Sequence, residues 1–159
     1  MVRGLERQKG RRDYVTSFAG IPRMVMLSES FLDIGSSSTL VLLWLAFQYK
    51  GNNNGYLSAT RNQAKAWGIG GADTLSRAIR ELQAHRLITL TQHGRFQNPS
   101  GSPNLYAITW EPIHEKQNHP LEVAATRLPL RKDWRPRTEN TSPCPVLESV
   151  APVSGHGDA

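Results

Sequence analysis

The stretch that decides the fold reads GGADTLSRAIRELQAHRLITL, from Gly70 to Leu90. At 100° per residue, an α-helix places four apolar side chains on one stripe, with Arg86 near its far end: Leu75, Ala78, Ile79 and Leu82. The opposite face is polar and carries two arginines: Asp73, Ser76, Arg77, Arg80 and Ala84. A strand-like run, residues 87–90, follows almost without a loop. The stretch therefore predicts an amphipathic helix that leads directly into a strand.

A second, shorter helix is predicted just before this stretch. Ser58 or Thr60 caps it, it continues to Trp67, and Gly68 ends it because glycine adopts the left-handed conformation at little cost. Ile69 then supplies an apolar plug before the long helix begins. A short helix, a glycine turn, an apolar residue and a second helix follow one another in the order of a helix-turn-helix.

The central helix of the core is predicted over residues 39–49, which are apolar in sequence from Leu40 to Phe47. A buried strand is the alternative for so continuous an apolar run. The length, the leucine content, the serines at 36–38 as caps and the stop at Gly51 favour a helix. The Asn54-Gly55 pair predicts a turn, and residues 56–57 a minimal strand.

Two strand-like runs, residues 87–90 and 104–110, flank a long polar loop that contains Arg95. The second run alternates in side-chain character, as a strand with two different faces does. The two runs predict a β-hairpin. Upstream, residues 18–32 are expected to pack against the main domain, with Ser28 as the cap of a short helical turn.

Both ends of the chain lack a sustained hydrophobic period. Residues 1–23 are predicted to be a flexible basic arm, which either contacts phosphates or a minor groove or only improves solubility. Residues 24–113 form the predicted domain, and residues 114–159 a largely disordered, proline-rich tail. Within that tail Trp134 is either the anchor for a protein partner or a stray aromatic residue.

Charge is unevenly distributed along the 159 residues, whose formal net charge is +6. Residues 1–23 and residues 60–110 each carry six basic and two acidic side chains. This clustering favours a polyanionic partner; the alternative is a basic protein whose charge serves no particular partner.

The single cysteine, Cys144, excludes an internal disulfide framework. No signal-peptide pattern is present, and the longest apolar run is too short for a bilayer, so we expect a soluble, cytoplasmic, nucleoid-associated protein.

The order of these elements resembles the winged helix-turn-helix proteins of bacterial plasmids, prophages and integrative elements. The resemblance covers residues 36–110 and rests on Leu57-Ser58, Ala64, Gly68-Ile69, residues 74–79, Glu81-Leu82 and Leu87-Ile88. It implies an α+β, mainly α fold: a three-helix core with a C-terminal β-hairpin wing, plus flexible termini. Four residues, 70–73, separate Ile69 from Thr74, one more than is often found in the family, which shifts the start of the recognition helix.

The candidate contact residues follow from this resemblance and from the charge pattern. Arg77 and Arg80 are expected to contact guanine or phosphate, while Thr74 and Ser76 donate to phosphates or bases. Arg61 and Lys65 of the shorter helix would contact the phosphate backbone, and Arg95 of the wing the minor groove. The arm would add further phosphate contacts through Arg7, Lys9, Arg11 and Arg12. Each of these side chains alone is about as compatible with a plain solvated surface.

No pattern in the sequence favours catalysis, a metal or a cofactor. The five histidines are scattered without metal-site spacing, and Cys144 lies in a proline-rich segment. The run Gly68-Ile69-Gly70-Gly71 lacks the lysine and the spacing of a phosphate loop. We therefore expect a non-enzymatic protein.

The expected function is sequence-specific binding of double-stranded DNA, as a transcriptional regulator of a mobile element or its host. A replication initiator or accessory protein that binds origin repeats is one alternative, and a winged-helix module that binds protein is another. A homodimer is also expected, because one recognition helix covers only a few base pairs. Its candidate surfaces are residues 28–32 and residues 39–49.

Overall fold

The computed structural model describes residues 18–95 and 101–137. Within them the chain forms eight elements in this order: α1 (Arg23–Met26), α2 (Glu29–Leu32), α3 (Ser36–Gln48), β1 (Leu57–Ser58), α4 (Arg61–Ala66), α5 (Ala72–Ala84), β2 (Ile88–Gln92) and β3 (Leu105–Ile108). The three strands form one antiparallel sheet in the order β1-β3-β2. The predicted α+β class is confirmed.

Helix α3 is the centre of the core, and the alternative of a buried strand is excluded. One face of α3 buries Val41, Leu42 and Leu45 completely. The helix begins at Ser36, three residues before the predicted start, so the serines expected as caps lie inside its first turn. Gly35 occupies the N-cap position and has no side chain to cap with, so α3 needs a partner from elsewhere in the fold.

Helix α4 begins and ends as the sequence predicts. Thr60 and Gln63 form a reciprocal capping box, with the Gln63 N–H donating to Thr60 Oγ1 at 3.3 Å and the Thr60 N–H donating to Gln63 Oε1 at 2.8 Å. Gly68 has a φ of +84°, and the Ile69 N–H donates to the Ala64 carbonyl at 2.9 Å. This is a Schellman ending, for which glycine is favoured because it has no Cβ.

Helix α5 buries the predicted stripe against α3, with Leu75, Ala78 and Leu82 in the core. Arg86, predicted near the far end of this stripe, follows the helix by two residues. It lies beyond the helix, exposed, with a φ of +56°, which is the left-handed region. The Leu87 N–H then donates to the Leu82 carbonyl at 2.9 Å, so α5 ends in the same way as α4 but without a glycine.

The sheet is held in register by a buried asparagine. In β2 and β3, Ile88 pairs with Ile108 and Leu90 with Tyr106, and the register shifts between Leu90 and Gln92. Asn54 is completely buried; its Oδ1 accepts from the Ile108 N–H at 2.8 Å and its Nδ2 donates to the Ile108 carbonyl at 2.9 Å. The predicted Asn-Gly turn therefore fixes the end of β3 and does not join two paired strands.

Residues 111–137 form an irregular segment, here called the C-terminal strap, that packs against the domain. Its Trp134 is 9% exposed and meets Trp110 edge-on, with ring centroids 6.5 Å apart. The Arg131 N–H donates to the Thr109 carbonyl at 3.0 Å. The prediction of a disordered tail is thus wrong for residues 114–137, and Trp134 is a core residue, not an exposed anchor for a partner. Residues 138–159 lie outside the described part.

The segment before α3 packs on the domain, as expected. Val25 of α1 is fully buried, and Ser28 caps α2 by accepting from the Phe31 N–H at 3.4 Å. The strap pairs with this segment, because the Glu29 N–H donates to the Arg135 carbonyl and the Arg137 N–H to the Leu27 carbonyl, both at 3.3 Å. In the described residues, no helix is both long and apolar enough to cross a membrane.

Candidate nucleic-acid interface

The outward face of α5 carries the first group of predicted contact residues. Ser76, Arg77 and Arg80 are all exposed, and helical spacing places them within an arc of about 100°. Thr74 lies roughly 60° beyond Arg77 and is half-buried, so it does not share this arc. The structure therefore brings together three of the four residues predicted on this helix.

The two arginines of this face differ in how they are held. Arg80 Nε donates to the backbone carbonyl of Ser76 at 3.3 Å, which lays the side chain along the helix surface. Arg77 precedes Glu81 by one turn and makes no hydrogen bond or ion pair within the described residues. Both guanidinium groups therefore have donors directed toward solvent, and Arg80 is the more restrained of the two.

Glu81 fixes the position of α5 on α3. Its carboxylate accepts from the Gly35 N–H at 3.2 Å and from the Ser38 hydroxyl, at the N-terminus of α3 that has no cap of its own. The Ser38 hydrogen bond lowers the pKa of Glu81, and the Gly35 N–H and the charges of His85 and Arg77 act in the same direction. The carboxylate thus supplies the cap that α3 lacks, and it does so from the helix that carries the exposed arginines.

A second basic pair lies on α4, which packs against α5. Arg61 and Lys65 are both exposed, and their separation of four residues places them on the same side of the short helix. Their side chains make no hydrogen bond or ion pair to any other described residue. The predicted pairing of these two cations on one face is therefore consistent with the structure.

Arg95 lies where the β2–β3 hairpin continues beyond the regular ladder. Its N–H donates to Ser102 Oγ at 3.2 Å, and its carbonyl accepts from the Ser102 N–H at 2.9 Å, so the two strands remain paired at this point. Nearby, His93 Nδ1 lies 2.7 Å from the Glu122 carboxylate, and that hydrogen bond lowers the pKa of Glu122. Arg95 itself is exposed. The tip of the loop, residues 96–100, is outside the described residues.

The remaining predicted contacts cannot be placed on this surface. Arg7, Lys9, Arg11 and Arg12 lie outside the described residues. Asp73 is exposed in the first turn of α5, where the positive end of the helix dipole favours a carboxylate.

The structure also contains a feature that the sequence analysis does not predict. A cavity of about 230 Å³ lies beside the C-terminal end of α5, with Arg86 and Arg131 in its wall.

Within residues 18–95 and 101–137, no group of three or more His, Cys, Asp or Glu side chains could hold a metal ion. In comparisons with known proteins, no family model, no curated protein and no solved structure matches the chain.

Proposed function

We propose that this chain is a winged helix-turn-helix protein that binds double-stranded DNA sequence-specifically, with α5 as the recognition helix. The observation that carries the proposal is the exposed arc of Ser76, Arg77 and Arg80 on a helix whose other side is held in the core. The order α3, β1, α4, α5, β2, β3, with β3 between the other two strands, supports it, because the winged helix-turn-helix architecture has this order. Arg95 would then lie in the wing.

The dimensions and donors of α5 suit a major groove. A helix of 13 residues is about 20 Å long, and with side chains about 10–12 Å across, which matches the width of the groove. Arginine reads guanine by donating to O6 and N7 from two nitrogens. Arg80 retains both terminal nitrogens for such a contact, since only its Nε bonds within the described residues. Arg61 and Lys65 then contact phosphates beside the groove.

Asp73 makes the two ends of the exposed face of α5 different in charge, with a carboxylate in the first turn and the arginines further along the helix. Its carboxylate repels phosphate, so the first turn of α5 faces base edges rather than the backbone. A carboxylate in the major groove accepts from the N4 amino group of cytosine. We therefore expect the preferred site to combine a cytosine near Asp73 with guanine contacts from Arg77 and Arg80.

The test is a fluorescence-anisotropy titration of the full chain with duplexes selected from a random pool, at several salt concentrations. The variant is Arg77→Ala/Arg80→Ala. The matched control is Arg127→Ala/Arg135→Ala, which removes the same charge from two exposed side chains of the strap. We expect the variant to lose about 1–3 kcal/mol of discrimination for each base contact, while the control retains its sequence preference.

Two outcomes would overturn the proposal. The first is binding by the wild type that shows neither saturation nor a decrease in affinity with salt, because phosphate contacts release counterions. The second is an equal loss in the variant and in the control, which would indicate a nonspecific effect of charge. The location of the selected sites, in promoters or in repeated origin sequences, distinguishes a regulator from a replication protein.

We further propose that the DNA-binding form is a homodimer joined through α3. The outer face of α3 exposes Leu40, Leu43 and Phe47 by 37%, 46% and 60%, spaced as in a heptad seam. No charged residue occurs from Ser36 to Tyr49, so a second copy places no like charges together. In an antiparallel pair centred between residues 43 and 44, Leu40 of one copy meets Phe47 of the other.

The area of this face sets the expected strength of the dimer. Three side chains at these exposures present on the order of 300 Å² of apolar surface per copy, within the range of a functional patch. Such a patch forms the centre of an interface at the low end of stable sizes, so we expect a dissociation constant on the order of micromolar. The face points away from α5, so the arginine arc stays uncovered.

Sedimentation velocity of the full chain tests the dimer. We expect Leu43→Glu to be monomeric, since two carboxylates would lie across the two-fold axis. The control is Leu128→Glu, which places the same charge on a leucine that is 61% exposed in the strap. A wild type that remains monomeric at about 100 μM, well above the expected constant, would refute the dimer.

A further inference from the structure

The cavity beside the C-terminal end of α5 has an unusual set of wall residues. Its polar lining consists of donors or cations: Gln83, Arg86, Thr89, Thr109 and Arg131. Ile88 and Leu130 supply the apolar part, and no carboxylate lines the cavity. Two arginines in the wall favour a positive potential in a partly enclosed space, which the Asp133 carboxylate, 3.6 Å from Arg131 Nε, partly offsets.

Arg131 is held in place with Nε and Nη2 of its guanidinium group free of hydrogen bonds to the described residues, although the Asp133 carboxylate lies 3.6 Å from Nε. The side chain is 13% exposed and lies over the Trp134 ring, with Cζ 4.3 Å from the centroid. Nη1 donates to Ser30 Oγ at 2.9 Å and to the His85 carbonyl at 3.0 Å. Nε is buried without a hydrogen-bond partner, and Nη2 has none within the described residues. Nη2 is therefore the donor that Arg131 offers to a ligand, and a guanidinium N–H group is suited to an oxyanion.

Arg86 occupies a position where an arginine costs stability. Its φ of +56° is the left-handed region, which only glycine adopts without strain, and the equivalent position after α4 is a glycine, Gly68. A strained non-glycine residue at a cavity wall points to a role for its side chain. Within the described residues, the guanidinium group of Arg86 and the side chains of Gln83 and Thr89 make no hydrogen bonds.

We infer that this cavity is a binding site for a phosphate group, held between Arg86 and Arg131. Gln83 and Thr89 add neutral donors, while the Thr109 hydroxyl is turned inward to the carbonyls of Arg86 and Leu87, at 2.9 and 3.1 Å. The exposed carboxylate of Asp133 lies 3.6 Å from Arg131 Nε and competes with the ligand. The phosphate group comes either from a free small molecule or from a DNA backbone, and this inference does not depend on the proposed function.

The test uses inorganic phosphate as the probe, added to the isotope-labelled full chain at constant ionic strength and followed by NMR. We expect saturable shifts of the Arg131 Nε–H and of the backbone amides of Arg86 and Thr89. Arg86→Gly is expected to weaken phosphate binding at least tenfold and also to favour folding roughly tenfold, because the strain is removed. The gain in stability shows that lost binding does not result from unfolding.

Two further variants make the result specific. Arg127→Gly, the control, removes the same charge from an exposed strap residue that does not line the cavity, and we expect unchanged binding. Asp133→Asn removes the competing carboxylate, and we expect binding several times tighter. The inference is overturned by the absence of saturation up to about 20 mM phosphate, or by Arg127→Gly weakening binding as much as Arg86→Gly.

A duplex of DNA then identifies the source of the phosphate. If the duplex shifts the same resonances and inorganic phosphate displaces it, the site takes a backbone phosphate. If phosphate still saturates the site while the duplex is bound elsewhere, the natural ligand is a small phosphorylated molecule. Both outcomes support the site, and the titration without DNA tests it even if the chain does not bind DNA.

Discussion

Replacing Glu81 tests how the exposed arginine face is fixed to the core. The carboxylate accepts from the Gly35 N–H at 3.2 Å and from the Ser38 hydroxyl, so one side chain of α5 caps the N-terminus of α3. In Glu81→Gln the size and one acceptor remain but the charge is lost. In Glu81→Ala both hydrogen bonds are lost and the first turn of α3 has no cap.

The expected loss in the free energy of unfolding follows from these contacts. A capping interaction contributes about 0.5–2 kcal/mol, and hydrogen bonds to a charged group about 1.5–3 kcal/mol when they are buried. Because Glu81 is half-buried, we expect a loss of about 2 kcal/mol for Glu81→Ala and about 1 kcal/mol for Glu81→Gln. Urea denaturation measures both, as a lower midpoint with an unchanged slope. Glu115→Gln, on an exposed strap residue, is the control and should have no effect.

The stabilisation that Glu81 provides should decrease in acid. The pKa of Glu81 is lowered in the folded state, chiefly by the Ser38 hydrogen bond. The ionised carboxylate therefore contributes to the free energy of unfolding above pH 4.5, the pKa of the group in the unfolded chain. That contribution is lost as the pH falls through the folded pKa. The difference between the wild type and Glu81→Gln should therefore shrink in acid. A difference that stays constant from pH 7 to about pH 3, or a variant as stable as the wild type at pH 7, would refute the capping role.

Three other changes test the core and the strap by urea denaturation. Trp134→Ala should cost about 3 kcal/mol, because a nearly buried ring leaves a cavity. Gly55→Ala should cost more than Gly51→Ala: both have positive φ, but a Cβ at residue 55 would lie 2.7 Å from Leu121 Cδ1, while at residue 51 it meets nothing within 4 Å. Burial and Glu111 raise the pKa of Tyr49 to about 12, so the free energy of unfolding of the wild type should fall as the pH rises from 10 toward 12. Tyr49→Phe should lose less over the same range, because the raised pKa of Tyr106 still contributes but that of Tyr49 does not.

Each of these changes has a result that contradicts it. Leu128→Ala is the control for Trp134→Ala, since Leu128 is 61% exposed, and equal losses would mean that the strap is not docked through Trp134. Equal losses for the two glycine variants would mean that strain alone, not the approach of Leu121, determines the cost. A parallel alkaline loss in the wild type and in Tyr49→Phe would exclude the Tyr49 hydroxyl as its source.

The helices could be predicted because their signals are local. The stripe of α5 repeats at the helical period, and Thr60, Gln63 and Gly68 define the ends of α4 by chemistry within a few residues. The start of α3 could not be predicted as well, because its capping carboxylate belongs to Glu81, on another helix. A contact between residues far apart in sequence leaves no periodic signal.

The strap and the cavity were missed for a related reason. Residues 111–137 contain no regular helix or strand and are rich in polar residues, which is the composition of a disordered segment. Their order comes from a few long-range contacts, with Trp134 against Trp110 and Arg131 between Ser30 and His85. One signal was present in the sequence. The position after α5 that corresponds to Gly68 after α4 is Arg86 and not a glycine, which predicts a strained backbone there.

The C-terminal strap links the cavity to the end of α5. It bonds to Thr109 at the end of β3 and to Leu27 before α2, so it crosses the domain and brings Arg131 to the C-terminal end of α5. The wall of the cavity is therefore complete only while the strap is docked, and a ligand that bridges Arg86 and Arg131 must favour the docked state by mass action. Arg131 also donates to the His85 carbonyl at the end of α5, so a residue of the cavity wall contacts the helix that carries the exposed arginines.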